Sequence, residues 1–339
     1  MEATHSAHCH KTGSSNRRSG HDASTTRRAS GTSTDRLPYR GLRPTETYER
    51  LPRMVALSAF AFDLPLDVRV VTCEEPNMIQ VRTVVRDAVA TLILDDERRK
   101  NAMSPELGDA LAEAVANLRS RRDVRAVVLT GAGDAFSAGG DLAMLERLRK
   151  VSPEESKAYM LGFYARYLSI LDLSVPTVAA IRGPAIGAGL AVALACDLLV
   201  CDEDAKLASN FAKLGLYPGM GTTYFLERRV GALRAAELVL TGRRFSGRDA
   251  LAWGMANAAV PSAEVLPCAE ALASDVAASS PVTVRALKRA FSVDRKALDA
   301  ALEREASCQS VSYGSDDLAE GLAAARERRL PRFVEPAAS

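Results

Sequence analysis

The sequence predicts an α/β fold that ends in a helical C-terminal region, and three observations support this prediction. Between residues 88 and 208, segments with the period of a strand alternate with segments with the period of a helix. The first three of these, between residues 88 and 131, follow the order strand, helix, strand. Beyond Thr222 nearly every segment has helical periodicity, so the chain is α/β first and all-α at its end.

The first strand is predicted over AVATLILD (88–95), and the first helix over residues 104–120. Ser104 is suited to the N-cap of this helix and Pro105 to its first position. The segment VRAVVLTG (124–131) has the character of a buried strand. The segments that follow predict a helix from 142, a longer helix over 153–173 and a strand over 176–183.

A helix is then predicted to open at Gly187, and DLLVCDEDAKLA (197–208) predicts one further strand. The last part of the chain predicts helices over 262–280, 281–291 and 294–309. The second of these helices carries an apolar stripe. Each residue of the stripe, taken singly, is interpreted as a core residue, whereas the four together would also suit a subunit interface. The stripe consists of Val282, Val284, Leu287 and Phe291.

Charge and cysteine content restrict the class of protein. Lys and Arg number 44 against 42 Asp and Glu, and the net charge of +2 gives no electrostatic footprint for nucleic acid or an anionic membrane. The apolar runs are far shorter than the ~20 residues of a membrane span. None of the six cysteines forms a CxxC pair, which favours reduced thiols and a cytoplasmic location.

The sequence divides into a predicted disordered tail over 1–53, a linker over 54–80, a core over 81–275, a helical region over 276–333 and a short tail over 334–339. The first segment is rich in Ser, Thr, Arg and Gly and has almost no aliphatic residue, so it cannot offset the entropy of its own ordering. A transit peptide or an upstream extension are the alternatives for this segment.

All four histidines of the chain lie in that tail, at His5, His8, His10 and His21. The core therefore has no Ser-His or Cys-His pair and no histidine-ligated metal. The cluster HSAHCH near the N-terminus would bind metal only adventitiously, because a disordered tail lacks the surrounding groups that fix metal ligands. No metal site is predicted.

Two glycine-rich turns, FSAGGDL (136–142) and RGPAIGAG (182–189), each end where a helix is predicted to begin. Backbone N–H groups in the first turn of a helix have no intrahelical partner and lie at the positive end of the helix dipole. Two such turns that face each other would form an oxyanion hole. Small residues are needed in them, because a bulky side chain would prevent a ligand from approaching the backbone.

These two turns resemble the paired oxyanion loops of the enoyl-CoA hydratase/isomerase family, the crotonases. Further blocks resemble the family in the same order, and together they cover roughly residues 81–333. The resemblance implies a crotonase-like spiral of ββα repeats, an acyl-CoA substrate and assembly as a homotrimer or homohexamer. It implies no cofactor other than the coenzyme A of the substrate. The further blocks are RKNAMSPEL, CDLLVCDEDAKLA, KLGLYPGMGTTYFLERRVG, ELVLTGRRFSGRDALAWGMANAAV and SDDLAEGLAAARERRLPRF.

The resemblance also implies roles for individual residues. The backbone N–H groups of Gly140 and Ala188 are the expected oxyanion donors. Lys100, with Arg99, matches positions that accompany the nucleotide of coenzyme A, and Ala102 matches the residue whose backbone holds the pantetheine arm. A solvated charge run is the alternative for the two cations. Further substrate contacts are expected at Ala138, Gly139, Asp141, Leu142, Gly187, Gly189 and Phe211.

Asp141 has a simpler interpretation than catalysis, as the N-cap of the helix that follows it.

The sequence departs from the hydratases of the family at the positions where they carry two glutamates, because Ala191 and Phe211 stand there. Gly219 supplies no replacement carboxylate. The polar candidates left near the site are poor bases near neutral pH, and Tyr217 is the weak candidate for proton transfer. These candidates are Asn210, Tyr217, Ser209 and Tyr224.

The sequence therefore predicts an acyl-CoA enzyme that stabilises a thioester enolate, with decarboxylation or isomerisation favoured over hydration. A catalytically silent acyl-CoA-binding or scaffold homologue is the alternative. A dinucleotide-binding oxidoreductase ranks third, because RGPAIGAG lacks the GxGxxG spacing and lies too late in the chain.

Overall fold

The computed structural model describes residues 79–335, which form nine strands and ten α-helices. The strands are β1 (Gln80–Arg86), β2 (Val89–Asp95), β3 (Ala126–Gly131), β4 (Thr177–Ile181), β5 (Ala185–Ile186), β6 (Leu198–Asp202), β7 (Leu207–Ala208), β8 (Arg244–Phe245) and β9 (Ala258–Val260). The helices are α1 (Pro105–Arg119), α2 (Leu142–Leu148), α3 (Pro153–Leu168), α4 (Ala188–Ala195), α5 (Thr222–Thr241), α6 (Gly247–Ala252), α7 (Val265–Ala278), α8 (Pro281–Phe291), α9 (Arg295–Tyr313) and α10 (Asp316–Glu327).

Six strands form the main sheet in the order β1-β2-β3-β4-β6-β9. β1 pairs antiparallel with β2, and every later neighbour pairs parallel. Every residue of β3 and β4 is buried. Helix α7 covers one face of the sheet through Val265, Ala269 and Ala273, and the larger core lies on the other face. Coverage on both faces explains why these strands have no alternating polar residues.

The second sheet is small and has the order β5-β7-β8. In each ββα unit the first strand lies in the main sheet and the second strand lies in the small sheet, as in β4–β5–α4 and β6–β7–α5. The unit before them follows the same path, because Ser137, after β3, bridges to Ala185 of β5. This is the predicted spiral of ββα repeats.

The prediction of one strand over 197–208 is wrong. β6 ends at Asp202, and the chain turns before β7 begins in the other sheet. The Asp202 side chain accepts a hydrogen bond from the N–H of Asp204 at 3.0 Å, and its carbonyl accepts one from the N–H of Ala205 at 3.0 Å. This local turn competes with an extended strand. The prediction of a nearly all-helical end also missed β8 and β9, and β9 completes the main sheet.

The two helix starts predicted from capping residues are confirmed. The Ser104 hydroxyl caps α1 by accepting from the N–H of Leu107, and Pro105 is its first residue. Asp141 caps α2 by accepting from the N–H of Met144 at 2.9 Å. These contacts satisfy N–H groups that a helix leaves without intrahelical partners.

Helix α5 takes its N-terminal cap from another helix. The buried carboxylate of Glu305, in α9, accepts from the N–H of Gly221 at 2.7 Å and from the N–H and hydroxyl of Thr223 at 2.9 and 2.6 Å. Burial raises the pKa of Glu305, while these hydrogen bonds act in the opposite direction. Glu305 thus ties the C-terminal region to the turn that precedes α5.

The apolar stripe of α8 does not lie in the core. Val282, Leu287 and Phe291 are 78%, 50% and 79% exposed, and α8 has no buried residue. Their interpretation as individual core residues is therefore wrong, because α8 lies over the surface of this chain and turns part of its apolar side outward.

Several sequence predictions fall outside the described residues: the tail over 1–53 with its four histidines, the linker up to residue 78 and residues 336–339. The boundary predicted after residue 275 lies within α7, which continues to Ala278, and the division into domains stays a prediction. In the part of the chain that the structure describes, no helix is both long and apolar enough to span a membrane.

Candidate active site

The two glycine-rich turns meet at one cavity of about 140 Å³. Seven of the residues predicted to bind substrate line this cavity: Ala138, Gly139, Gly140, Leu142, Gly187, Ala188 and Phe211. The rest of the lining comes from α2, α3, β5, α9, α10 and the segment after β7.

In the first turn, the backbone on both sides of Gly140 is bonded to Met103. The N–H of Met103 donates to the carbonyl of Gly139 at 2.7 Å, and the N–H of Asp141 donates to the carbonyl of Met103 at 3.1 Å. The carbonyl of Gly139 and the N–H of Gly140 belong to one trans peptide unit, in which these two groups point to opposite sides. The N–H of Gly140 therefore points away from Met103, and it makes no hydrogen bond within residues 79–335.

In the second turn, Gly187 precedes the first residue of α4, Ala188. Gly187 has φ +54° and ψ −119°, which L-residues with a side chain rarely adopt. Its N–H donates to the carbonyl of Ala208 at 2.8 Å, and its carbonyl accepts from the N–H of Ala191 at 3.1 Å. The N–H of Ala188 lies in the first turn of the helix, and no group in the described chain accepts from it.

The two turns are packed against each other without room for side chains. Gly139 has φ +92°, and a Cβ added to it would lie 2.7 Å from the carbonyl oxygen of Ile186. A Cβ added to Gly189 would lie 2.6 Å from the Cβ of Ser137. The N–H of Ile186 also donates to the carbonyl of Ser137 at 3.1 Å. This packing therefore places Gly140 and Ala188, whose N–H groups have no partner within residues 79–335, in the lining of one cavity.

The lining contains no Asp, Glu, Lys, Arg, His or Cys. Its polar side chains are those of Tyr164, Asn210, Gln309 and Tyr313. The Gln309 amide oxygen accepts from the Tyr164 hydroxyl at 2.6 Å and from the Tyr313 hydroxyl at 3.4 Å. Burial raises the pKa of Tyr164 well above 10 and also raises the pKa of Tyr313. Both phenols stay protonated near neutral pH, so the lining holds no base.

Three of the residues predicted to contact the substrate lie around the first turn and outside the lining of the cavity. The Lys100 carbonyl accepts from the N–H of Ala138 at 2.9 Å, and the exposed Lys100 ammonium lies 3.3 Å from Asp134. The N–H of Ala102 donates to the carbonyl of Arg99 at 3.1 Å. The second carboxylate oxygen of Asp141 pairs with the Arg99 guanidinium at 3.1 Å. Lys100, Ala102 and Asp141 therefore hold or flank this turn.

Gly189 also lies outside the lining, where it permits the close packing on Ser137. Tyr217 is not brought to the cavity wall. Its N–H donates to the Ser312 hydroxyl at 3.1 Å, and its carbonyl accepts from the Gln309 amide at 2.9 Å. The structure thus gives Tyr217 a backbone role at the edge of the site.

The two positions matched to the hydratase glutamates differ in their surroundings. Phe211 lines the cavity, and its ring would lie 3.6 Å from a Cβ built on Gly187. Ala191 lies within α4 and is fully buried outside the lining. The Ser209 hydroxyl is buried without a hydrogen-bond partner, and that of Tyr224 accepts from the N–H of Asp294 at 3.0 Å.

The sequence did not indicate Tyr164, Gln309 or Tyr313 as site residues. Tyr164 is one of several aromatic residues in α3, and periodicity alone cannot tell which of them meets the cavity. Gln309 and Tyr313 lie one turn apart in α9, more than 100 residues from either glycine-rich turn. Only the packing of α9 on α3 brings them to the site.

A larger cavity of about 560 Å³ lies between α5, α8 and the C-terminal end of α4. The Arg229 guanidinium covers that helix end by donating to the carbonyls of Leu194, Cys196 and Asp197. Lys288 pairs with the Asp197 carboxylate at 2.7 Å. A helix C-terminus presents carbonyl oxygens and the negative end of the dipole, so this cavity cannot stabilise an oxyanion through the backbone of α4.

Comparison with known proteins identifies the family of this chain. The family model for enoyl-CoA hydratase/isomerase matches residues 85–336. Enoyl-CoA hydratase domain-containing protein 2, mitochondrial, of Bos taurus is 35% identical over 255 residues, which cover 73% of this chain and 84% of that protein.

Two solved structures show the same fold. The enoyl-CoA hydratase/isomerase of Pseudoalteromonas atlantica T6c is 29% identical, covers 75% of this chain and 100% of its own, and has a TM-score of 0.66. A variant of the ECH2 decarboxylase domain of CurF from Lyngbya majuscula is 25% identical, covers 72% of this chain and 99% of its own, and has a TM-score of 0.64. The predicted crotonase-like fold is confirmed, and the chain belongs to the enoyl-CoA hydratase/isomerase family.

Proposed function

We propose that this protein binds an acyl-CoA thioester and stabilises its enolate with the backbone N–H groups of Gly140 and Ala188. The observation that supports the proposal is that both groups lack a partner within residues 79–335 and belong to residues that line one apolar cavity. The dipole of α4 adds positive potential at Ala188. An oxyanion-hole donor typically contributes ~3 kcal/mol to the transition state.

Efficient hydration of an enoyl-CoA is not expected. Hydration needs carboxylates that hold and activate a water, and the cavity lining has none. Phe211 lines the cavity, and its ring is proposed to exclude such a water. The two favoured reactions are decarboxylation and isomerisation, and the lining supports decarboxylation better because isomerisation requires a base.

Decarboxylation of a malonyl-type thioester would proceed without a protein base. The bond between the α-carbon and the carboxylate breaks, carbon dioxide leaves, and the electron pair passes into the thioester to form the enolate. Gly140 and Ala188 would donate to the enolate oxygen. The α-carbon then takes a proton, with water as the final source. The structural likeness to a decarboxylase domain supports this choice.

The alternative is a catalytically silent acyl-CoA-binding or scaffold homologue. The same absence of acid and base groups from the lining favours it. The two functions differ in one observable: an enzyme releases carbon dioxide or exchanges α-protons, whereas a silent homologue only binds.

The exposed Lys100 ammonium and the backbone of Ala102 are proposed to bind the nucleotide and pantetheine parts of coenzyme A, and no other cofactor is proposed. The proposed location is the cytoplasm.

Assembly as a homotrimer or homohexamer is also proposed, because the exposed apolar residues of α8 would be covered in an assembly. Light scattering after size exclusion measures the subunit number.

The test incubates the wild-type protein with malonyl-CoA, methylmalonyl-CoA and crotonyl-CoA in deuterium oxide. Mass spectrometry follows loss of carbon dioxide and deuterium at the α-carbon. We expect decarboxylation, or deuterium exchange in the isomerase case, with hydration of crotonyl-CoA very slow or undetectable. Crotonyl-CoA hydration at the usual enzymatic turnover of about 1–10³ s⁻¹ would contradict the proposal. Binding without any mass change would favour the silent homologue.

A further inference from the structure

Asn210 is the polar side chain of the cavity that no protein group engages. Three of the four polar lining side chains, Tyr164, Gln309 and Tyr313, are hydrogen-bonded to one another, and Gln309 also donates to the carbonyl of Tyr217. The Asn210 carboxamide has no hydrogen bond within residues 79–335. It can offer two N–H donors and an acceptor oxygen to a ligand.

The strand pairing places Asn210 beside the second turn. β5 and β7 run parallel, with Ile186 opposite Ala208. Gly187 follows the end of β5 and Asn210 follows the end of β7, so both emerge at the same edge of the small sheet. The Asn210 amide oxygen lies 3.5 Å from the position that a Cβ on Gly187 would occupy. The carboxamide is therefore adjacent to the proposed oxyanion donor at Ala188.

A plain hydrocarbon acyl group would leave this carboxamide unsatisfied. Filling the cavity with methylene groups would displace water from the half-buried Asn210 carboxamide and provide no hydrogen bond in return, which is unfavourable for an amide. Sites that hydrogen-bond a polar substrate group discriminate strongly against analogues without it. The position of Asn210 therefore favours an oxygen on the acyl group close to the thioester.

The size of the cavity limits the rest of the acyl group. The cavity volume of about 140 Å³ is small beside the roughly 300–1,000 Å³ of typical small-molecule pockets. Leu142, Met144 and Phe211, which also line the cavity, have apolar side chains. The acyl group is therefore short, with a single polar position next to Asn210.

We propose that the Asn210 carboxamide binds an oxygen at the β-position of the acyl group, so that the preferred ligands are short CoA thioesters with a β-carbonyl or β-carboxylate oxygen. The proposal rests on the proposed function, since it assumes that the thioester lies at Gly140 and Ala188. In a decarboxylation, the carboxamide would hold the carboxylate group that leaves. Asn210 is then a residue that determines specificity.

The test uses three thioesters with the same number and branching of acyl heavy atoms: acetoacetyl-CoA, malonyl-CoA and isovaleryl-CoA. Calorimetric titration gives their dissociation constants for wild type, Asn210→Leu and Asn210→Asp. Asn210→Asp keeps the volume but replaces the N–H donors by an acceptor. Asn117→Leu, at an exposed position on α1, is the control. Mass spectrometry measures how much malonyl-CoA remains in each sample, and where a protein consumes it the comparison uses acetoacetyl-CoA against isovaleryl-CoA. Circular dichroism checks folding.

We expect wild type and Asn117→Leu to bind acetoacetyl-CoA and malonyl-CoA about 5- to 10-fold more tightly than isovaleryl-CoA, the effect of one hydrogen bond. Both Asn210 variants should lose this preference while their affinity for isovaleryl-CoA stays within about twofold of wild type. Equal wild-type affinity for all three thioesters, or an unchanged preference in folded Asn210→Leu and Asn210→Asp, would overturn the role of Asn210. Absence of binding by any thioester to wild type would instead overturn the proposed function.

Discussion

The substitution Ala188→Pro removes one proposed oxyanion donor at the position where a helix tolerates proline best. Ala188 is the first residue of α4, and Gly187 is its N-cap. Proline at this first position loses an N–H that has no intrahelical partner, and its fixed φ suits the helix. The ring also occupies the space in front of the former N–H, so a thioester oxygen can no longer be bound there.

The structure predicts a large effect on chemistry and a small one on folding. Because no described group accepts from the N–H of Ala188, its removal breaks no protein hydrogen bond, and the free energy of unfolding should change by less than about 1 kcal/mol. Loss of one oxyanion donor should lower turnover by about 10²- to 10³-fold. Ala188→Gly is the matched control, because it keeps the N–H and costs at most ~1 kcal/mol of helix stability.

The assay combines turnover with the infrared carbonyl band of a bound enoyl-thioester. Wild type and Ala188→Gly should shift the band to lower frequency, and Ala188→Pro should largely abolish the shift. The same comparison at the other donor uses Gly140→Pro and Gly140→Ala, since a Cβ on Gly140 meets no atom within 4 Å. A full shift and full turnover in folded Ala188→Pro would refute the assignment of this donor.

Two further predictions concern buried titratable groups. Glu305→Ala should lower the free energy of unfolding in urea by about 3 kcal/mol or more, because the N–H groups of Gly221 and Thr223 and the Thr223 hydroxyl lose their acceptor. Glu305→Gln keeps one acceptor oxygen and should lower it less. Equal losses in the two variants would contradict this. The turnover number should vary by less than about twofold from roughly pH 6 to 9. Burial raises the pKa of Tyr164 and of Tyr313, and both hydroxyls keep their protons at any pH below those raised values. An inflection near neutral pH would show a catalytic group outside this lining.

The sequence was sufficient for the elements whose signals are local. Ser104 and Asp141 cap helices as their side-chain chemistry predicts, and both glycine-rich turns end at helix N-termini. In each case the information lies within a few residues of the feature itself.

The features that the sequence did not predict depend on contacts between distant segments. Residues 197–208 have strand character throughout, and only the pairing of β6 with β4 and of β7 with β5 shows that they divide between two sheets. The exposure of Phe291 likewise follows from where α8 lies, since an amphipathic helix has the same pattern on a core and on an outer surface.

The location of Tyr217 shows why proton transfer could not be assigned from the sequence. A tyrosine after the second turn is a reasonable candidate by position, yet only its backbone is held at the site, through Gln309 and Ser312. The tyrosine that does meet the cavity, Tyr164, donates to Gln309, and the raised pKa keeps its proton in place. Both outcomes depend on α9, whose position no local pattern specifies. The proposed binding of an oxyanion by backbone groups, in a lining that offers no base, suits a reaction that forms its enolate by losing a carboxylate, because that step requires no proton to be removed.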